Sequence, residues 1–116
     1  MQNTISLNRN EWFLKVYQKG KKTYHKHFIL YCLPNQTGMN RLGFKVGKKI
    51  AKAVKRNRVR RLLKEGYRLL EPELKTGYDI VIVARPSCLS ADTYLEVSGA
   101  VRDLMEKSGL FLPREN

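Results

Sequence analysis

Acidic residues are scarce in this chain: ten Asp and Glu stand against 23 Lys and Arg in 116 residues, for a formal net charge of +13. A surface so one-sided repels itself unless a polyanion balances it, which points to nucleic acid or an anionic membrane as partner. Long apolar runs are also lacking. Nothing approaches the roughly 18–20 residues of a membrane span, and MQNTISLNRNEW has no charged stretch followed by an apolar one of the signal type. The expectation is a soluble, unexported, cytoplasmic protein with no membrane role. Cysteine is limited to Cys32 and Cys88, without the paired spacing of a zinc site or redox motif, so both read as buried free thiols. There are no internal repeats and no low-complexity linker.

What is present fits one domain, residues 1–116, with 42% hydrophobic residues to form one core. The charge is not spread evenly. Residues 41–68 hold twelve Lys or Arg and one acid, residues 1–40 hold six and one, and residues 69–116 hold five against eight acids. The basic excess is therefore a patch.

Helical spacing of Trp12, Phe13, Val16 and Tyr17 predicts a first helix over Asn8–Lys19, with Asn8 as its cap, Glu11 three residues on and Gly20 as its stop. The run Thr23–Leu33 reads as one or two strands, PNQTGMN as a turn, and Arg41–Val46 as an alternating strand. A second helix starts between Ala53 and Arg56 and ends near Leu70, packing Val59, Leu62, Leu63, Gly66 and Leu70. YDIVIVAR reads as a strand covered on both faces, and Ala91–Ser108 as a last helix with Tyr94, Val97, Val101, Leu104 and Met105 inside. The order is α-β-β-β-α-β-α, an α+β fold with one sheet packed with helices, and residues 1–7 and 112–116 read as loose.

Arg suits phosphate through its planar fork, and residues three and four apart on a helix are neighbours, so Arg58, Arg61 and Lys64 or Glu65 lie along one flank. Arg56 and Asn57 sit on the first turn, where unpaired backbone N–H groups and the positive end of the macrodipole also favour an anion. Lys45, Lys48, Lys49 and Lys52 widen the basic area beyond one helical face, which suits a folded RNA better than a DNA groove. A solvated charged helix is the bland alternative. The near absence of acids for i,i+4 pairing argues against it.

The stretch RLGFKVGKKIAKAVKRNRVRRLLKE resembles the signature of the bacterial ribonuclease P protein component, with Arg56, Asn57 and Arg58 matching its Arg-Asn-Arg core. FLKVYQKG resembles that family's first-helix motif, FILYCL its central strand and GYDIVIVAR its later strand. The resemblance spans about Asn8 to Leu110; it departs at Ala51, where many members carry Gly, and at Gly47, where Ser is common.

The resemblance implies a small basic subunit of a ribonucleoprotein endonuclease that removes the 5′ leader from precursor tRNA. Its RNA subunit does the chemistry with divalent metal ions such as Mg2+, held mainly by that RNA and the substrate. No catalytic residue and no metal site are then expected in the protein alone. Lys48, Lys49, Lys52, Lys55, Arg56, Asn57, Arg58, Arg60, Arg61, Lys64 and Arg68 would meet the RNA subunit. Phe13, Tyr17, Tyr31 and Lys45 would line a cleft for the single-stranded leader, where aromatic stacking beside positive charge is the usual device. The family fold also implies a left-handed βαβ crossover through the Arg-Asn-Arg helix, against the general right-handed rule.

His25 and His27 would share a face if both lie in one strand, and with no acids beside them they read as strand-surface or RNA-contacting groups. Ser87 and Ser90 read as turn and helix-start residues. Two rival readings are an RNA-scaffold protein, in which residues 13, 17 and 31 are mostly core, and a helix-turn-helix DNA reader. The latter is disfavoured because the basic helix follows a strand rather than a partner helix.

Overall fold

The computed structural model describes residues 1–113. Its elements are β1 (Thr4–Ser6), α1 (Asn10–Lys19), β2 (Lys21–Tyr24), β3 (Phe28–Pro34), β4 (Asn40–Lys45), α2 (Ala53–Leu70), β5 (Tyr78–Ala84) and α3 (Tyr94–Lys107), with short 3-10 turns at Glu71–Glu73 and Pro86–Ser90. The expected order is present, preceded by an additional strand. The five strands lie in the order β1-β4-β5-β3-β2. β1 with β4 and β4 with β5 are parallel, whereas β3 is antiparallel to both β5 and β2. The neighbours β4 and β5 are thus the parallel pair that a βαβ unit through α2 requires.

Alternation along the strands divides the apolar side chains between two faces. One face carries Phe28, Leu30, Cys32, Leu42, Ile80 and Ile82 against Val59, Leu63, Tyr67 and Leu70 of α2 and Val97, Val101, Leu104 and Met105 of α3. α2 and α3 approach closely at Gly66, where a Cβ would stand 3.2 Å from the Ser98 Cα. On the other face, Val16 of α1 seals a smaller core with Leu7 and Val81, and Trp12, Phe13, Tyr17, Tyr31, Leu33 and Val83 surround it. Two helices therefore cover one face and one short helix half-covers the other. The second face stays partly open.

Residues 1–7, expected to be loose, are held. The Thr4 hydroxyl is 2.8 Å from the Tyr67 hydroxyl, the Leu7 N–H donates to the Leu42 carbonyl, and the Gln2 N–H donates to the Glu71 carboxylate at 2.9 Å. Asn40, fully buried, donates to the Lys75 carbonyl and to Tyr67 Oη and accepts from the Tyr78 N–H. Buried polar groups demand partners, and here one network ties β1, β4, α2 and β5 together. Within the last expected loose stretch, 112–116, the Leu112 N–H donates to the Glu73 carbonyl; residues 114–116 lie outside the described residues.

Three local expectations shift. α1 begins at Asn10 behind Arg9, with no side-chain cap, because Leu7 is still anchored beside β4 and the chain needs two more residues to leave the sheet edge. α3 begins at Tyr94 behind Thr93, whose Oγ1 accepts from the Glu96 N–H, while Ser90 bonds back to the Ser87 carbonyl in a 3-10 turn. Tyr94, expected inside, is exposed at that helix start. Cys32 and Cys88 are free and buried, as expected, and burial pushes both thiols up in pKa.

Candidate nucleic-acid interface

The basic segment divides into a loop and a helix. Ile50 packs against the main core and donates its N–H to the Gly47 carbonyl, which pins a turn and leaves Lys48 and Lys49 exposed. Lys52 caps α2 by backbone geometry only, without a side-chain cap, and the first turn holds no acid. The unpaired N–H groups there face no competing carboxylate. Lys52, Lys55, Asn57, Arg58, Arg61, Lys64 and Arg68 are exposed, and Arg56 and Arg60 half-buried. Val59, Leu63, Tyr67 and Leu70 hold the opposite stripe in the core. Helical periodicity alone makes the cationic surface.

Not every cation is equally free. Arg58 reaches Asp92 through its Nε at 3.5 Å and donates to the Asp92 carbonyl at 3.2 Å. Arg68 pairs with Glu65, lowering that carboxyl's pKa by direct hydrogen bonding. Arg60 donates to Asn57 Oδ1. Lys48, Lys49, Lys52, Lys55, Arg61 and Lys64 make no ion pair among the described residues. Arg58, Arg61, Lys64 and Arg68 rim one groove between α2 and Tyr94, with Leu62 and Glu65. Arg61 and Lys64 form the crest.

The four expected cleft residues come together on the open sheet face. Phe13 and Tyr17 project from α1 with ring centroids 6.3 Å apart, and Tyr17 meets Tyr31 of β3 edge-on at 5.0 Å. Lys45 Nζ lies 4.4 Å from the Phe13 centroid. All three rings are half-buried, which divides each between packing and access. Burial, and then the neighbouring Tyr31, raises the Tyr17 pKa.

Several residues that sequence reasoning did not single out build this face. Gly43 leaves room for Phe13, since a Cβ there would stand 2.6 Å from the Phe13 Cζ. Arg41 makes a two-pronged ion pair with the buried Asp79, Nε to Oδ1 at 2.6 Å and Nη2 to Oδ2 at 2.8 Å, and its guanidinium stacks 3.9 Å from the Trp12 ring. That plate fixes the start of α1. Lys22 of β2 stands 5.3 Å from the Tyr31 centroid and 5.6 Å from that of Tyr24, and contact with Tyr31 and then Tyr24 raises its pKa. Period-two alternation from Tyr31 and Lys45 could have found Lys22 and Gly43, given the strand register.

Phe13 shares an open hollow of about 520 Å³ with Arg60, Arg61 and Lys64, together with Ile5, Leu7, Leu42 and Phe44. It lies at the β4 edge, where β1 ends after Ser6, and it brings the aromatic face and the cationic helix onto one surface. The histidines lie elsewhere, in the turn between β2 and β3 rather than within one strand. His25 Nδ1 accepts from the His27 N–H at 3.0 Å, and His27 Nδ1 is 2.8 Å from Ser87 Oγ. Among the described residues no group of three or more His, Cys, Asp or Glu is placed to hold a metal, and the buried Asp79 is already engaged by Arg41 and Asn35. No helix of the structure is long and apolar enough to cross a membrane.

Comparison with known proteins bears on the family and the fold. The family model described as ribonuclease P matches residues 1–109. The ribonuclease P protein component of Alkaliphilus metalliredigens is 44% identical over 95% of this chain and 98% of its own, and that of Alkaliphilus oremlandii 47% over 90% of each. Among solved structures, the RNase P protein of Staphylococcus aureus superposes with a TM-score of 0.83 at 25% identity, covering 94% of this chain and 97% of its own. That of Thermotoga maritima gives 0.78 at 25% identity, over 90% and 96%. This chain belongs to the ribonuclease P protein component family.

Proposed function

We propose that this chain is the protein subunit of a tRNA-processing ribonuclease P, binding the catalytic RNA through α2 and its approach loop and the 5′ leader of precursor tRNA through the α1 face. The continuity of the two surfaces across the hollow at the β4 edge carries this reading, because Phe13 and the α2 cations Arg60, Arg61 and Lys64 line one space. An RNA lying along α2 can then pass a single strand to the aromatic face without leaving positive charge.

The work of the protein is binding. Lys48, Lys49, Lys52, Lys55, Arg61 and Lys64 neutralise phosphates of the RNA subunit, Arg56 and Arg58 add their guanidinium forks, Arg60 and Arg68 complete the rim, and Asn57 offers its side-chain amide at the first helical turn. Phe13, Tyr17 and Tyr31 offer ring faces and edges to leader bases, and Lys45 neutralises a leader phosphate. Among the described residues no metal-ligand set is assembled; in this reading the RNA subunit and substrate would hold the divalent ion, which would supply an activated water. What the chain supplies to that step is substrate held in register.

The test is cleavage of a leader-bearing precursor tRNA with Mg2+, using this protein, a matching RNA subunit and both together. Cleavage is expected with the RNA subunit and is to be strengthened by the protein. Cleavage by the protein alone would overturn the division of labour.

A further inference from the structure

The aromatic face does not end at Tyr31. The register aligns Lys45 of β4 with Val83 of β5, Val83 with Ile29 of β3, and Ile29 with Tyr24 of β2. These four residues form one row across the open face, running from the margin of the part that α1 covers, where Val83 packs and Lys45 meets Phe13, out to the β2 edge. With strands about 4.8 Å apart, the row runs about 14 Å from a cation to an exposed aromatic. Tyr24 is 54% exposed, more than a packed core ring would be. Two cations flank its ring, Lys22 at 5.6 Å and Arg85 at 5.7 Å, and Lys22 also reaches Tyr31.

One exposed aromatic needs no explanation by itself, but two cations beside this ring concentrate positive charge at the place where a base could stack. Lys22 also blunts the free edge, but a lone lysine would do that without an aromatic two residues on. We infer that β2 carries an outer nucleotide position of the single-strand site, in which a leader base stacks on Tyr24 while Lys22 and Arg85 hold the adjoining phosphates. The inference rests on the leader reading given above and extends it beyond Phe13, Tyr17 and Tyr31. On the docking proposed above, RNA enters past α2 and Lys45, and the leader's distal nucleotides reach Tyr24.

The experiment uses the reconstituted holoenzyme and a series of precursor tRNAs whose leaders are lengthened one nucleotide at a time, with mature tRNA as the leaderless reference. Wild-type affinity is expected to rise with leader length and then level off. With Tyr24→Ala it should level off at a shorter leader, and long-leader precursors should bind at least about five-fold more weakly, the lower end of what losing one stacked base costs. Tyr24→Phe should restore the wild-type curve, and Lys22→Ala should lower the salt dependence for long leaders only. A Tyr24→Ala curve that coincides with wild type at every length, while Tyr31→Ala still weakens leader binding, overturns the outer position. A uniform loss that includes mature tRNA overturns it too. If Tyr31→Ala is also without leader-dependent effect, the leader cleft itself falls.

Discussion

Removing Arg61 and Lys64 together gives the sharpest test of the basic helix, because both are exposed and neither makes an ion pair among the described residues. Their replacement by Ala disturbs no core packing, and surface changes of this sort stay within about 0.5 kcal/mol of stability. The effect belongs to binding. Each RNA phosphate left without its cation should lower the slope of log K against log salt by about 0.7 to 0.9, so the pair lowers it by up to about 1.4 to 1.8. Over a fourfold rise in salt, from about 50 to 200 mM, the gap between wild type and the double variant should then narrow by about nine-fold. Filter binding to the RNA subunit across that range reads the slope, and circular dichroism melting checks the fold. Arg58→Ala serves as the contrast: its guanidinium is already shared with Asp92, so it should move the slope less and lower the melting temperature slightly. Parallel lines for wild type and the double variant would place the RNA-binding face elsewhere.

Tyr67→Phe leaves the buried Thr4 hydroxyl without its partner and should cost about 1–3 kcal/mol in urea unfolding; an unchanged midpoint would mean that β1 is not held by that network. Gly43→Ala drives a Cβ against the Phe13 ring, and because the ring can swing aside, the stability cost should fall at or below about 1–3 kcal/mol while affinity for leader-bearing precursor drops and affinity for the RNA subunit stays. Equal loss for both RNAs would count against a separate leader face. Cys32 and Cys88 should resist a thiol reagent at pH 8 until denaturant is added, since burial disfavours both thiolates; rapid native labelling would contradict the packing.

How far sequence reached depended on the range of the interactions involved. α2 was legible to its ends because a basic surface and an apolar stripe repeat every turn, and β5 because YDIVIVA is an apolar run between breakers. β1 was not, since TIS has neither length nor strong alternation and is held by Tyr67 and Glu71, more than sixty residues away. Tyr67 itself lies within the basic helix and went unnoticed as the largest of its fully buried side chains. The same limit applies to the site. Phe13, Tyr17, Tyr31 and Lys45 came from resemblance, whereas Gly43, Lys22 and Tyr24 needed the register that brings them beside those residues.

The acids explain why the basic surface stays basic after folding. Asp79 is consumed inside by Arg41 and Asn35, and Glu71 by the backbone of Gln2 and Asn3, so two of the eight acids in the last third neutralise nothing on the basic surface of α2. Asp103 pairs with Lys107 within α3. Asp92 and Glu65 alone reach cations of α2 among the described residues, and they take Arg58 and Arg68 at its margins, leaving Arg61 and Lys64 on the crest. Buried acids are costly unless paired or hydrogen-bonded, so their use to fix α1 and β1 serves two ends at once. They pin the elements that frame the aromatic face, and they remove negative charge from the surface proposed to carry RNA. Neutralising Asp79 by Asp79→Asn should therefore release the Arg41 plate under Trp12 and loosen α1, weakening leader binding even though the net charge becomes more positive. Tighter leader binding in that variant would show that charge, rather than the placement of α1, governs the cleft.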